Sequence, residues 1–286
     1  MDNNNMMKYK PMLAYPVSKK PIDYNEKVYI QPKLDGVRCL IQCDNGVVKA
    51  YSRTGKEWKN IEHILFNLQN FFTLEPDAVL DGELYNHDLR DNFEKIISCV
   101  RKTKPTTVHR LESSGLVRFH CYDVPSNPGK FDVRNEWINL NVPRNFCIHH
   151  VETHEVHAEK YALDLHKIFL NRGYEGSILR LDKPYEQKRS YNLQKFKDFS
   201  DTEATIVGYE LGKGKREGTL GKFLMMDDDG NRFGCPPGKG YNYKDLADIL
   251  NNIHDYIGQR ATFTYFERTK AGSYRHPMFK TIRNYE

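Results

Sequence analysis

The chain has 286 residues, of which 39% are hydrophobic and 28% are charged, a composition typical of globular proteins. It contains 43 Lys and Arg against 38 Asp and Glu, and the formal net charge of +5 permits a phosphate-bearing partner without requiring one. No apolar run approaches the roughly 18 residues that a membrane helix needs, and the first ten residues lack the apolar segment of a secretory signal. At roughly 150 residues per domain, we expect two domains. The missing secretory segment leads us to expect an intracellular protein.

The first two thirds of the chain mix strand patterns with helix patterns. Helices are predicted at 61–72, 93–100 and 158–172, where apolar residues recur every three or four positions. Strands are predicted where apolar residues run together or alternate, at 28–30, 39–42, 47–51, 79–85, 117–124 and 177–181. The turn residues Asp44, Asn45 and Gly46 join two of these strands as a hairpin. This mixture indicates an α+β fold.

The pattern changes after Phe196 and Lys197. Strands are predicted at 204–211, 222–226, 232–235, 260–266 and 279–282. One helical stripe lies between the third and fourth of them and contains Leu246, Ile249, Leu250, Ile253 and Ile257. Five strands with a helix after the third fit an OB-type β-barrel. We therefore expect domains at 1–200 and 201–286.

The segment Lys33-Leu-Asp35-Gly36-Val-Arg38 carries the sharpest chemical signal. A solvated strand end with a turn would explain the glycine. It would not explain a lysine that leads a strand with an acid and an arginine so close behind it. This segment is therefore the first candidate for a reactive site.

The same segment resembles the nucleotidyl-lysine motif of the covalent nucleotidyltransferases, the superfamily of DNA ligases, RNA ligases and mRNA-capping enzymes. Six further segments resemble motifs of that superfamily in the same order: Ser52-Arg53-Thr54-Gly55, Asp81-Gly82-Glu83-Leu84, Phe119-His-Cys-Tyr122-Asp123, Glu175-Gly176-Ser-Ile-Leu-Arg180, Leu193-Gln-Lys195-Phe-Lys197 and 275–283. Seven motifs in order, from Gln31 to Arg283, are far more specific than any one of them. The resemblance implies a nucleotidyltransferase (adenylation) domain of antiparallel sheets with flanking helices, followed by a C-terminal OB-fold β-barrel.

The resemblance also implies roles for individual residues. Lys33 would be the catalytic nucleophile, Tyr122 would stack on the nucleotide base, and Glu83 and Glu175 would bind Mg²⁺ or Mn²⁺. The other nucleotide-binding residues would be Gln31, Arg38, Arg53, Lys195, Lys197 and Arg283, with Glu83 serving both purposes. DNA would contact Arg53 and a basic loop formed by Lys213, Lys215 and Arg216. Arg283 would reach the pyrophosphate only if the OB domain swings over the pocket.

The chemistry of phosphoryl transfer suits these residue types. A lysine that attacks phosphorus must be neutral, although its reference pKa is about 10.4, and neighbouring cations lower such a pKa. Glu side chains are hard oxygen ligands suited to Mg²⁺, which keeps several waters and bridges phosphate oxygens. Lys195 and Lys197 would share one face of a strand, because side chains alternate along it.

Within the superfamily, the motifs favour ATP-dependent DNA ligases of the small phage or viral type. Only 32 residues precede Lys33 and no four-cysteine zinc set is present, which argues against a NAD-dependent ligase. One departure is the ending Arg283-Asn-Tyr-Glu286, where many ligases have Arg-x-Asp-Lys. An RNA ligase and, less favoured, an mRNA-capping guanylyltransferase remain alternatives, as does a nick-binding module without catalysis.

The expected activity is the sealing of nicks with a 5′-phosphate and a 3′-OH, through a lysyl-AMP intermediate and a DNA-adenylate. ATP and Mg²⁺ (or Mn²⁺) would be the cofactors. Nicked double-stranded DNA would be the partner of a monomer without a membrane association. The protein would be intracellular, in the host cytoplasm if it is of phage or viral origin.

Two further residue sets call for a simpler interpretation. His149, His150, His154, His157 and His166 cluster before and within the predicted helix 158–172. His150 and His154 have a helical spacing that could bind zinc, but surface or packing positions are expected. The six cysteines form no C-x-x-C pair and are expected to be reduced thiols.

Overall fold

A computed structural model of the chain describes residues 7–196, 200–238, 240–265, 268 and 272–284. The chain divides into two compact units, Met1–Lys197 and Asp198–Glu286. Throughout these described ranges, every helix is too short or too polar to cross a membrane. The expected mixture of helices and largely antiparallel sheets is confirmed.

The first sheet of the first unit has five strands in the order β1-β10-β9-β2-β8. Its members are β1 (Leu13–Pro16), β2 (Val28–Lys33), β8 (His154–Val156), β9 (Gly176–Leu181) and β10 (Arg189–Phe196). All pairs are antiparallel except β1 with β10. Helix α5 (Glu159–Asn171) covers one face, where Ala162 and Phe169 pack with Val28 and Ile30. The polar side chains described below lie on the opposite face.

The second sheet has the order β4-β3-β5-β6-β7. Its members are β3 (Val37–Asp44), β4 (Val47–Tyr51), β5 (Val79–Tyr85), β6 (Arg118–Asp123) and β7 (Ile148–His150). Helices α1 (Glu62–Leu74) and α4 (Phe131–Asn141) pack on this sheet, and α2 (Phe93–Val100) packs on α3 (Thr107–Leu116). Chain reversal at the turn after β3 places Asn45 and Gly46 at positive φ, as the hairpin prediction requires.

The bounds of β4, β5 and α2 agree with the sequence prediction. Helices α3 and α4 were not predicted, because each buries a polar side chain and exposes aliphatic ones. Helix α3 exposes Val108 and Leu111 and buries Ser113, whose hydroxyl donates to the Asn60 carbonyl. Helix α4 buries Arg134 and exposes Leu140. An apolar period cannot predict helices that are anchored by polar groups.

The second unit is a five-stranded sheet in the order β13-β12-β11-β14-β15. It consists of β11 (Ser200–Leu211), β12 (Leu220–Met226), β13 (Arg232–Cys235), α6 (Tyr243–Asn251), β14 (Arg260–Tyr265) and β15 (Met278–Ile282). Just after β13, Pro237 forms an isolated parallel bridge with Phe279 of β15, and the Gly238 N–H donates to the Phe279 carbonyl at 2.9 Å. Five strands with a helix between the third and fourth give the predicted OB-fold topology, here as an open sheet.

One expectation for this unit is wrong. Ile257 does not continue the stripe of α6, because the helix ends at Asn251 and a 3-10 turn at Ile253–Asp255 follows. Leu246, Ile249 and Ile253 are buried in the core of this unit, whereas Ile257 is exposed.

Candidate active site

Lys33 is the last residue of β2, and its ammonium forms an ion pair with the carboxylate of Glu175. The two residues are 142 positions apart in sequence and are brought together by the pairing of β2 with β9. The Glu175 N–H also donates to the Lys33 carbonyl at 3.2 Å. The side chains are 21% and 16% exposed, so the pair is shielded from bulk water but can be reached by a ligand.

Glu83 of β5 supplies a second carboxylate close to Lys33. Its Cα pairs with Arg38 on one side and His120 on the other, and the turn at Gly36 lies against it. A Cβ on Gly36 would lie 2.4 Å from the Leu84 carbonyl oxygen and 2.8 Å from the Glu83 Cγ, so only glycine fits there. Burial raises the pKa of Glu83 to about 7, although the charges of Arg38 and Lys33 oppose the rise.

Tyr122 is the extra residue of a β-bulge in β6. Asp81 pairs with Asp123 and Gly82 with Cys121, so Tyr122 has no partner in the ladder. Its hydroxyl donates to the Glu83 carboxylate at 3.2 Å. Burial raises the pKa of Tyr122 well above its ordinary value, which keeps the hydroxyl protonated as a donor. The bulge therefore aims an aromatic ring at the carboxylate.

A buried polar network lies beneath Tyr122 and joins the two sheets. The Arg180 Nε donates to the Gln31 Oε1 at 2.6 Å, and the Gln31 amide donates to the Thr153 hydroxyl at 2.8 Å. Arg180 also pairs with Asp123 at 2.6 Å, and Arg134 pairs with the other Asp123 oxygen at 2.7 Å. Burial opposes ionisation of Asp123, but the two guanidinium groups outweigh it and lower its pKa.

Arg38 is held by Asp81, to which its Nε donates at 2.6 Å. The Tyr185 hydroxyl donates to the same carboxylate at 2.8 Å. The guanidinium carbons of Arg38 and Arg180 lie 5.2 and 5.3 Å from the centroid of the Tyr122 ring. These cation–π contacts fix the orientation of the ring.

Lys195 occupies β10 opposite Ile178 of β9, and Ile178 is opposite Gln31 of β2. Residues directly opposite in antiparallel strands share a face, and so do residues two apart in one strand. Lys195, Gln31 and Lys33 therefore lie on the same face of the first sheet. Lys197 falls outside the described residues.

The Arg53 segment forms a tight turn beside β3. Ser52 is fully buried, and its backbone N–H donates to the Lys56 carbonyl at 2.7 Å. Gly55 adopts a φ of 91°, which favours glycine. The Trp58 indole donates to the Arg38 carbonyl at 3.2 Å, so the turn is tied to the strand that follows the Lys33 motif. Arg53 itself is half-buried.

Arg283 and the basic loop belong to the second unit. The Arg283 Nε pairs with Glu203 at 3.1 Å, and its side chain is mostly buried within the OB fold. The basic loop (Lys213, Lys215 and Arg216) is exposed between β11 and β12 and includes a 3-10 turn at Gly214–Arg216.

The histidine cluster does not form a metal site among the described residues, where no three metal-ligating side chains converge. The helical spacing of His150 and His154 is wrong, because they lie on strands β7 and β8. His166 is a packing residue that stacks on Phe196 at 3.9 Å and shares a 2.9 Å hydrogen bond with Ser177. All six cysteines are free and buried.

Sequence reasoning assigned no role to Asp123 or Arg180, although both lie inside quoted motifs. Their signal was a charged residue in an otherwise apolar strand, which is costly unless it is paired. Arg134 and Thr153 lie outside the motifs, and their part in the network follows only from the folded structure.

Comparison with known proteins places this geometry in a family. Residues 11–197 match the family described as ATP dependent DNA ligase domain, and residues 211–283 match the DNA ligase OB-like domain. The DNA ligase of an African swine fever virus isolate (Tick/South Africa/Pretoriuskop) is 31% identical over 264 residues, which cover 83% of this chain. The chain spans 59% of the length of that relative.

Two further matches cover both partners almost fully. The DNA ligase of Haemophilus influenzae is 24% identical over 94% of this chain and 90% of its own length. A solved Lig E DNA ligase, described as binding DNA with a minimal scaffold, is 25% identical with a TM-score of 0.57, over 97% of this chain and all of the other. The two family matches, in the order of the two units, establish that the chain belongs to the ATP-dependent DNA ligase family.

Proposed function

We propose that the protein seals nicks in duplex DNA that carry a 5′-phosphate and a 3′-OH, with ATP as the nucleotide. The observation that carries the proposal is the placement of Lys33 between two carboxylates, ion-paired with Glu175 and close enough to Glu83 for its charge to act on that group. Family membership supplies the reaction class, and the side chains supply the roles described below.

Lys33 is the nucleophile. Its Nζ forms a bond to the α-phosphorus of ATP, the bond from phosphorus to the pyrophosphate oxygen breaks, and the nitrogen loses its protons to solvent. In the nucleotide-free protein, the ion pair with Glu175 favours the charged ammonium. Lys33 therefore becomes reactive once the Glu175 carboxylate leaves this ion pair and binds another partner. The AMP then passes to the 5′-phosphate of the nick, and the 3′-OH displaces it.

Glu83 and Glu175 fit a Mg²⁺ or Mn²⁺ site that is completed by the substrate. Both carboxylates lie close to Lys33, and Mg²⁺ commonly binds one or two carboxylates together with phosphate oxygens. A cation held by Glu83 and Glu175 would neutralise charge that develops on the phosphates. The raised pKa of Glu83 is consistent with a carboxylate placed to meet a positive charge.

The nucleotide binds beside the polar face of the first sheet, which carries Lys33, and beside Tyr122 of the second sheet. Tyr122 stacks on the base. Arg180 contacts the Tyr122 ring and also donates a hydrogen bond to Gln31, so Gln31 lies close to the site of the base. Lys195 and Lys197 neutralise the phosphates. Arg283 would bind the nucleotide only if it leaves its ion pair with Glu203. Arg38 positions the Tyr122 ring while it is held by Asp81.

DNA contacts come from Arg53 and from the basic loop. Arg53 binds the 5′-phosphate of the nick, for which a planar guanidinium is suited. The basic loop binds backbone phosphates, since its three cations are exposed. The protein acts as a monomer inside a cell, in the host cytoplasm if it shares the viral origin of its relative from African swine fever virus.

Labelling with nucleotide tests the proposal. The wild type is incubated with Mg²⁺ and either α-labelled ATP or α-labelled GTP, beside Lys33→Ala and a matched control, Lys27→Ala, whose exposed lysine pairs with Asp132. We expect a covalent AMP adduct in the wild type and the control, and none in Lys33→Ala.

Substrate comparison then separates the alternatives. The adenylylated protein should seal nicked DNA faster than nicked RNA. An adduct with GTP alone would identify a guanylyltransferase, and faster sealing of RNA would identify an RNA ligase. Absence of any adduct in a folded wild-type protein would refute the proposal.

A further inference from the structure

A histidine outside the seven motifs bridges the two segments that carry the carboxylates. His87 lies four residues after Glu83, at the start of a 3-10 helix. Its Nδ1 lies 2.7 Å from the Tyr85 hydroxyl, and its Nε2 lies 2.8 Å from the Arg172 carbonyl oxygen. Tyr85 belongs to the second sheet, whereas Arg172 ends helix α5 and leads directly to Glu175 and the first sheet.

The two partners determine which nitrogen of His87 carries the proton. A carbonyl oxygen can only accept, so Nε2 carries the hydrogen and donates it to Arg172. In the neutral ring, Nδ1 is then the acceptor for the Tyr85 hydroxyl. The Tyr85 hydroxyl is the donor of this bond. Both ring nitrogens are therefore engaged in holding the two segments together.

Packing strengthens this bridge on both sides. The His87 ring lies 4.5 Å from the ring of Tyr174, the residue that immediately precedes Glu175. The Asn86 amide donates to the Leu116 carbonyl at 2.9 Å, which anchors the 3-10 helix to the end of α3. The imidazole is thus held against fixed structure on one side and against the Glu175 segment on the other.

A second bridge between the same sheets lies at Asp123 and Arg180, five residues along β9 from Glu175. That ion pair is buried, and its two residues differ from the hydrogen-bond partners of His87. Loss of His87 would leave the sheets joined and would release only the edge that carries the two carboxylates. The effect of His87 can therefore be separated from general unfolding.

We propose that His87 is a positioning residue that sets the separation of Glu83 and Glu175 and, through it, the affinity of the site for a divalent cation. The inference rests on the proposed ligase function, in which these carboxylates bind the cation together with the nucleotide. Residues that orient metal ligands typically change metal affinity by 10- to 100-fold when they are replaced.

The test compares His87→Phe with Tyr85→Phe. The first keeps an aromatic ring at this position but loses both hydrogen bonds, and the second loses only the Tyr85 hydroxyl. The control is His63→Phe, because the His63 Nε2 also bonds a backbone carbonyl, that of Val117, but on helix α1. Binding of Mn²⁺ alone is measured by electron paramagnetic resonance, and the Mn²⁺ dependence of lysyl-AMP formation is measured in parallel. Hydrogen exchange is followed over residues 172–176.

We expect His87→Phe to weaken Mn²⁺ binding about tenfold and to raise the half-saturating Mn²⁺ for adduct formation equally. Tyr85→Phe should shift both in the same direction, and the double variant should be no worse than His87→Phe, since the two residues form one contact. Exchange over 172–176 should accelerate in these variants, while His63→Phe behaves as the wild type.

Unchanged Mn²⁺ affinity and exchange in both variants would overturn the proposal. So would impaired nick sealing at unchanged Mn²⁺ affinity, because His87 would then act on DNA. If the wild type forms no adduct, the ligase function fails, but Mn²⁺ binding and exchange still decide whether His87 positions the carboxylates.

Discussion

Replacing Glu83 by Gln should stabilise the nucleotide-free protein at pH 8 while impairing its chemistry. A rise of the Glu83 pKa from 4.5 to about 7 corresponds to about 3 kcal/mol. Between these pH values, the folded state retains a proton that the unfolded state releases, so wild-type stability falls as pH rises through about 7. Gln does not titrate, and its amide oxygen can still accept the hydrogen bond from Tyr122.

The assay is urea unfolding of the wild type and Glu83→Gln at pH 4.5 and pH 8, without nucleotide or metal. We expect similar free energies of unfolding at pH 4.5, and a gain for the variant approaching about 3 kcal/mol at pH 8. Glu62→Gln, an exposed change on α1, should alter stability by less than about 0.5 kcal/mol at either pH. A variant that is equally or less stable than the wild type at pH 8 would refute the assignment of Glu83 as a carboxylate destabilised by burial.

Three further outcomes are expected. Asp123→Ala should lower the free energy of unfolding in urea by about 3–5 kcal/mol, because it leaves two buried guanidinium groups unpaired. The wild type should lose stability as the pH is lowered below 3.8, the ordinary pKa of Asp, because Asp123 is then protonated in the folded state. Gly36→Ala should destabilise by about 1–3 kcal/mol and slow lysyl-AMP formation, whereas Gly115→Ala in α3, where a Cβ meets nothing within 4 Å, should be neutral or stabilising in thermal unfolding. Replacing the basic loop by alanines should lower the slope of log K against log salt for nicked DNA by about 2–3 without changing adduct formation; an unchanged slope would remove the loop from the DNA surface.

The sequence was sufficient for the parts of the fold that depend on local patterns. Strands β4 and β5 and helix α2 were predicted with their observed bounds because apolar residues face the core at the expected period. The OB topology followed from the count and order of strands. Helices α3 and α4 could not be found in this way, because Ser113 and Arg134 are buried while neighbouring aliphatic residues are exposed.

The site was predictable as a set of residues, but not as a geometry. The motif order identified Lys33 and Glu175, but their ion pair depends on strand pairing across 142 positions. The bulge that frees Tyr122 from the ladder leaves no local signal, since it arises from the register of β6 against β5. The role of His87 depends on the carbonyl of Arg172, a backbone atom that no side-chain motif can reveal.

Each unit completes itself with its final strand. In the first unit β10 pairs with β1, where Ser190 of β10 lies opposite Ala14 of β1. In the second unit Phe279 of β15 forms an isolated bridge with Pro237. During synthesis the earlier strands of each unit therefore wait with unpaired edges until the last strand emerges. Such long-range pairing slows folding, so we expect each unit to fold only after its last strand has been synthesised.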